Sequence, residues 1–170
     1  MQLDLIFKNS FLIEQVRDGE VIWSEETYNA VTTPGINSIL NVYFGGSESI
    51  QSAWYLGLID NTSFVSVANQ DTMSSHAGWN EFTNYSESVR QTWTPTLPPT
   101  SASVTGTNVS AFTIGTVSSG QSIQGVFLTS SATKGGVTGL LWASALFSQP
   151  AGVVTGDIFR ATYTLRLANN

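Results

Sequence analysis

Between residues 158 and 167 apolar and polar positions alternate without a break. Phe159, Ala161, Tyr163, Leu165 and Leu167 fall on one side; Ile158, Arg160, Thr162, Thr164 and Arg166 fall on the other. A period of two, with Thr and Arg outward, predicts a strand in a sheet that has one dry face. Residues 53–59 are apolar on both sides, which predicts a strand buried on both faces. Further strands are predicted at 80–85, 88–93, 102–104, 109–114, 122–129 and 139–147. Turns rich in Gly and Ser separate them, as at Ser118-Ser119-Gly120 and Lys134-Gly135-Gly136. Leu97-Pro98-Pro99-Thr100 reads as a connection, because proline cannot donate to a ladder.

Two local units precede these strands. Residues 11–17 and 20–24 flank Asp18-Gly19, a pair suited to the two positive φ angles of a type I′ turn, and predict a β-hairpin. Then Ile36, Ile39, Leu40, Tyr43 and Phe44 recur at steps of three and four. That spacing predicts a short helix over 34–44, capped by Thr33, opened by Pro34 and ended by Gly45-Gly46. Its apolar stripe is expected in the core, the rival reading being a docking surface for another chain. The fold expected from the whole pattern is mainly β: an antiparallel β-sandwich, Ig-like or jelly-roll, with an N-terminal hairpin and one short helix. Residues 1–50 are expected to form the hairpin-plus-helix unit packed on a sandwich domain of residues 51–170.

Composition narrows the function. Of 170 residues only 11% are charged, against about 25% in ordinary globular chains. A net charge of −6 with six scattered basic residues argues against nucleic-acid binding and against docking on anionic lipid. The first residues lack the basic start and long apolar run of a signal peptide, so synthesis without general secretion is expected. With no cysteine there is no disulfide framework, thiolate metal site or cysteine nucleophile. Charge is also uneven. Residues 1–87 hold eleven acids against Lys8 and Arg17, net −9, while residues 88–170 hold Asp157 against four basic residues, net +3. These halves could pair within one chain or, head to tail, between copies.

Candidate chemistry is sparse. His76 is the single histidine, which excludes the usual His-based metal cages. A Ser-His-Asp site would need His76 with Asp60 or Asp71, yet no Gly-x-Ser-x-Gly elbow accompanies them. Asp71 is read instead as the cap of a short helical turn and His76 as a structural residue. No phosphate loop is present. The expectation is therefore no enzyme and no cofactor. Trp54 and Trp142 lie in apolar runs and are expected in the core. Trp79 and Trp93, in polar surroundings, are the candidates for an exposed aromatic platform of a sugar-binding kind.

Several runs carry a resemblance. They are Trp54-Tyr55-Leu56-Gly57-Leu58-Ile59-Asp60; Asp71-Thr72-Met73-Ser74-Ser75-His76-Ala77-Gly78-Trp79-Asn80-Glu81; and Arg90-Gln91-Thr92-Trp93. Gly125-Val126-Phe127-Leu128-Thr129, Lys134-Gly135-Gly136 and the 35–46 helix join them. Over most of the chain these runs resemble a family of small tailed-bacteriophage virion structural proteins. The resemblance implies a virion location, with assembly in the host bacterial cytoplasm, and brings no catalytic residues. It leaves the position in the virion open; by analogy the small size and the lack of repeats favour a capsid decoration (cement) protein that binds the major capsid protein, with a tail or fibre component or a lectin-like module as the alternative. On that reading residues 1–33 form the contact arm, with candidate contacts Glu14, Arg17, Asp18, Glu20, Glu25 and Glu26. A homo-oligomer is expected, a trimer before a dimer.

Overall fold

The computed structural model describes residues 5–29, 31–97 and 102–169, so most of the proline connection at 97–100 lies outside the described residues. Among the described residues ten strands run β1 (Leu5–Arg17), β2 (Glu20–Asn29), β3 (Trp54–Asp60), β4 (Asn80–Phe82), β5 (Gln91–Trp93), β6 (Ser103–Thr105), β7 (Ser110–Thr113), β8 (Ser122–Thr129), β9 (Leu141–Gly152) and β10 (Ile158–Asn169). They form two five-stranded antiparallel sheets packed face to face, a mainly β sandwich with one short helix. Sheet one has the order β2-β1-β10-β6, with β7 also on β10; sheet two has β4-β3-β8-β9, with β5 also on β3.

The hairpin forms as its turn chemistry requires. Asp18 (φ 52°) and Gly19 (φ 87°) both take positive φ, and the arms extend further than expected in both directions. Its place in the fold differs from expectation. β1 pairs with β10 in unbroken register from Leu5↔Asn169 to Val16↔Ile158, which makes it an interior strand of sheet one. Phe11, Ile13 and Val31 share one core with Leu56, Leu58, Val126, Phe159 and Tyr163. No break in the core marks a boundary near residue 50.

The sandwich is closed along both sides. On one side β2 faces β9: Thr27 Oγ1 donates to the Leu146 carbonyl (2.7 Å), and the Ser148 N–H and hydroxyl donate to the Glu25 carboxylate (2.8 and 2.9 Å). On the other, Asn108 and Ser110 side chains donate to the Thr92 carbonyl, and bridges join Tyr85 to Ile114 and Pro95 to Gly106. Such closure hides sheet edges that would otherwise template aggregation. Strand β9 outruns its expected end at Phe147. Its register against β8 jumps between Gly125↔Leu146 and Ile123↔Ala151, and this bulge takes Pro150 out of the ladder before pairing resumes.

Sheet two is buried on both faces. Leu56 and Leu58 of β3 face the main core, while Ile59 faces a second cluster with Met73, Trp79, Phe127 and Leu141 under the 61–79 loop. Gly57 lies beneath the Phe127 ring, where an added Cβ would come within 2.2 Å of the ring. The outer face of sheet one has no such roof. Tyr28 is 73% exposed and Leu12 46%.

A buried carboxylate ties the hairpin to the start of β10. The Asp157 side chain is wholly buried and accepts from Arg17 (2.7 and 2.8 Å), Gln15 (2.7 Å) and the Val154 N–H (3.0 Å). Burial alone would raise its pKa, but the hydrogen bonds from Arg17, Val154 and Gln15 outweigh burial, and the net shift is downward from 3.8. The same bond to Asp157 holds the Arg17 pKa up.

Two outcomes follow. Because the folded pKa of Asp157 is depressed, its contribution is complete above the unfolded value of about 3.9 and is lost as pH falls through the lower folded value. Urea titrations between pH 5 and pH 2, at roughly the bounds of that window, should therefore show stability falling on acidification, with a shallower fall in Asp157→Asn; identical slopes would remove Asp157 from the acid response. Gly57→Ala should cost about 1–3 kcal/mol by overpacking against Phe127, measured as a lower unfolding midpoint; an unchanged midpoint would contradict the contact.

Candidate functional site

The exposed platform expected at Trp79 and Trp93 is not formed: they are 2% and 4% exposed. Trp79 lies in the 61–79 loop with its ring against Phe127 (centroids 5.2 Å), and its polar neighbours serve its one polar atom. The indole N–H donates to Asp71 Oδ2 (2.9 Å), and His76 stacks on the ring at 4.0 Å with Nδ1 bonded to the Trp79 carbonyl oxygen (2.9 Å). Polar residues beside a tryptophan in sequence thus mark a satisfied indole here. Trp93 points inward from β5 and donates to the Tyr163 carbonyl (3.1 Å). Trp142 donates to the Tyr163 hydroxyl (2.9 Å), and Trp54 packs edge-on against Trp142. Burial pushes the Tyr163 hydroxyl pKa up, and the Trp142 bond opposes that shift only in part.

Asp71 caps no helical turn. Its carboxylate accepts from Ala68 N–H (2.9 Å) and from Trp79, in a loop closed by a Thr72–Ser75 bridge. Ser74 Oγ is paired with Thr72, 3.1 Å away. Asp71, His76 and the nearby serines therefore line up on the tryptophan and on each other's turns, with no relay from carboxylate through imidazole to hydroxyl. Among the described residues no group of three His, Asp or Glu side chains could hold a metal ion.

The most ordered polar cluster is a loop clamp that the sequence pattern did not disclose. Arg90, with no exposed side-chain surface, forms a two-point pair with Glu81 (3.0 and 2.7 Å). It also donates to the Ser131 and Gly136 carbonyls (3.0 and 2.8 Å) and lies 5.2 Å from the Phe127 ring centroid. Glu81 accepts the Gly135 N–H as well (2.7 Å). Lys134 donates to the Tyr85 and Glu87 carbonyls and sits 4.3 Å from the Tyr85 ring centre. Burial, then the charge of Glu81, pushes the Tyr85 hydroxyl well above its ordinary pKa. Front-half acid thus meets back-half base inside one chain at Glu81–Arg90, whereas Arg17–Asp157 joins a front-half base to the single back-half acid.

The six hairpin candidates separate into two groups. Arg17 and Glu25 are committed within the fold, to Asp157 and Ser148. Asp18 and Glu20 stand exposed at the turn, and Glu26 is exposed on the outer face of sheet one. Half-buried Glu14 shares that face, opposite Arg160 of β10.

The helix contributes the second uncovered surface. α1 (Thr33–Leu40) is capped by Thr32, one residue before the expected Thr33, and continues into a π-helical turn, Asn41–Gly45. Thr32 accepts the Gly35 N–H (3.1 Å) and donates to the Leu141 and Trp142 carbonyls (2.5 and 3.2 Å). Gly35 lies so close that a Cβ would sit 3.0 Å from the Trp142 carbonyl oxygen. This pinning turns Gly35, Ser38 and Ile39 toward the sandwich and most of the apolar stripe outward, against the expectation of a core stripe. Ile36 is 40% exposed, Leu40 50%, Tyr43 74% and Phe44 84%. Tyr43 stands between an apolar groove of about 390 Å³ lined by Phe7, Val104, Leu165 and Leu167, and a smaller hollow of about 160 Å³ lined by Ile50 and Trp54.

No protein-family model matches this chain, and no curated protein matches it. Among the described residues no helix is long and apolar enough to cross a membrane. Chemically, the surface arrangement offers two uncovered faces, one acidic and mixed, the other uncharged and apolar, on a body whose buried ionic groups are tied internally.

The clamp generates a direct test. Arg90→Leu leaves the nearly buried Glu81 carboxylate without its cation, so unfolding in urea should show a loss of about 3–5 kcal/mol. A loss below about 1 kcal/mol, the range of an exposed pair, would contradict a buried clamp.

Proposed function

We propose that this chain is a structural component of a tailed-bacteriophage virion, a head decoration protein that binds the shell of major capsid protein. The sequence resemblance motivates the reading, and one structural observation supports it most: the two sheets are covered unequally. Sheet two is roofed by the 61–79 loop, whereas the outer face of sheet one is open. That face mixes exposed Tyr28, Leu12 and Ile22 with Glu14 and Glu26. Apolar anchors ringed by polar groups are the usual anatomy of a protein-binding face. The closed sides and the absence of thiols suit a protein that must persist outside a cell.

The structure changes how the contact is tested. Residues 1–33 cannot serve as a removable arm, because β1 is interior to sheet one and Phe11 and Ile13 lie in the core. Point substitutions on the outer face replace truncation. Purified full chain should bind undecorated heads of its own phage, with copy number scaling with the shell. Tyr28→Ala combined with Glu26→Lys should weaken binding at least about tenfold, since truncating a central anchor costs more than 1 kcal/mol, with an unchanged unfolding midpoint. Wild-type protein that ignores heads but binds host cells or surface glycan would replace this reading with the tail or lectin-like one.

A further inference from the structure

We propose that copies of this chain associate through the α1–π face, with Tyr43 and Phe44 as the anchors and a rotation axis of the oligomer at that face. It goes beyond the shell-binding reading and stands without it, because it uses a different surface. The exposed large apolar side chains fall mainly into two groups, the hairpin and residues 36–50; the latter contains both Phe44 and Ile50, each more than three-quarters exposed. A monomer gains nothing by presenting them, since the helix already has its anchor in Thr32, Gly35 and Ile39. The π-helical turn widens the backbone where Tyr43 and Phe44 leave it, and such turns are frequent at functional sites.

Area and charge both point to a second copy as the occupant. An aromatic side chain carries about 150–250 Å². With Ile36, Leu40 and Ile50 added, the exposed part of this patch is roughly 600–700 Å², close to the approximately 800 Å² per partner of a stable interface. The flanking groove contributes further apolar wall. A face on a two-fold axis meets its own copy, so a face that carries a single sign of charge repels itself. The chain carries −6, yet residues 31–47 contain no Asp, Glu, Lys or Arg. The next acid, Glu48, accepts from Ser38 (2.6 Å) and Gln51 (3.4 Å). The hairpin face, with Asp18, Glu20 and Glu26 exposed, would repel itself in the same arrangement.

The association is therefore apolar rather than a pairing of the acidic and basic halves, which already meet inside the chain at Glu81–Arg90. Sedimentation velocity on the purified full chain, from micromolar to several hundred micromolar, separates the outcomes. The expected result is a dimer or trimer of the 18.3 kDa chain that persists in about 1 M salt, where exposed charges are screened within about 3 Å. Phe44→Glu and, separately, Tyr43→Glu should raise the dissociation constant at least about 30-fold, the size of a hot-spot loss. Both side chains are exposed in the single chain, so far-UV dichroism should not change, and at concentrations where the wild type is monomeric the variants should unfold at the wild-type midpoint. A wild-type monomer at every concentration overturns the proposal. So does an oligomer that either variant leaves intact, or one that salt alone dissociates. Head binding is read separately, so failure of one proposal does not mask the other.

Discussion

The pairing of β1 with β10 over twelve consecutive residue pairs closes residues 5–169 into one loop and sets the first and last strands side by side within a sheet. Everything else in sheet one hangs on that ladder, with β2 laid against β1 and β6 and β7 against β10. Its inward residues Phe11, Ile13, Phe159, Ala161 and Tyr163 are fully buried and face β3 and β8 across the core. Tyr163 also receives the indole N–H groups of Trp93 and Trp142, one at its carbonyl and one at its hydroxyl. Asp157 locks the end of the ladder nearest the hairpin turn. Closing so long a loop carries an entropic cost that rises slowly with length, and the contacts that offset it are non-local. The fold is accordingly of the kind that forms slowly.

Much of this was legible in the alternation of side chains. The β10 pattern named the buried Phe159, Ala161 and Tyr163, although Leu165 and Leu167 on the same side are only half-buried; Asp18-Gly19 marked the turn, and β8 has the bounds its pattern predicted. The doubly apolar β3 signalled a sheet with two covered faces. Periodicity could not tell which side of the helix meets the core. It measures a stripe, whereas the pinning of Thr32 and the small size of Gly35 decide orientation. Trp79 misled for a related reason: Asp71 and His76 beside it resemble a wet surface in sequence but saturate a buried indole in space. The hairpin read as a separate unit because its acids cluster locally, while the partner of β1 lies at the far end of the chain. Arg17–Asp157, with a separation of 140 residues, leaves no local trace. Arg90–Glu81 is only nine residues apart, yet nothing in the pattern shows that their loops fold together.

The distribution of polar groups divides the molecule into a sealed part and a presented part. Buried ionic groups are committed: Asp157 to Arg17 and Gln15, Glu81 to Arg90, each with backbone donors or acceptors completing the set. Removing one partner of such a pair strands a buried charge, and these pairs tie loops and strand ends together. What remains uncovered is the outer face of sheet one and the apolar face of α1 and its π turn. Those faces differ in chemistry, one able to discriminate a partner by charge and the other suited to burial against itself. A body with sealed edges and two distinct faces is what an assembly component requires, since several weak contacts made by one oligomer add up to firm attachment.

Native-state hydrogen exchange followed along the chain tests the central constraint most directly, because it reports the free energy at which each segment opens. If the β1–β10 ladder holds the fold, the amides of β1 and β10 exchange only with global unfolding, at the same free energy as those of β3 and β8. Exchange of β1 through a lower-energy opening, with β3, β8 and β9 still protected, would show the hairpin to be a detachable unit and contradict the account.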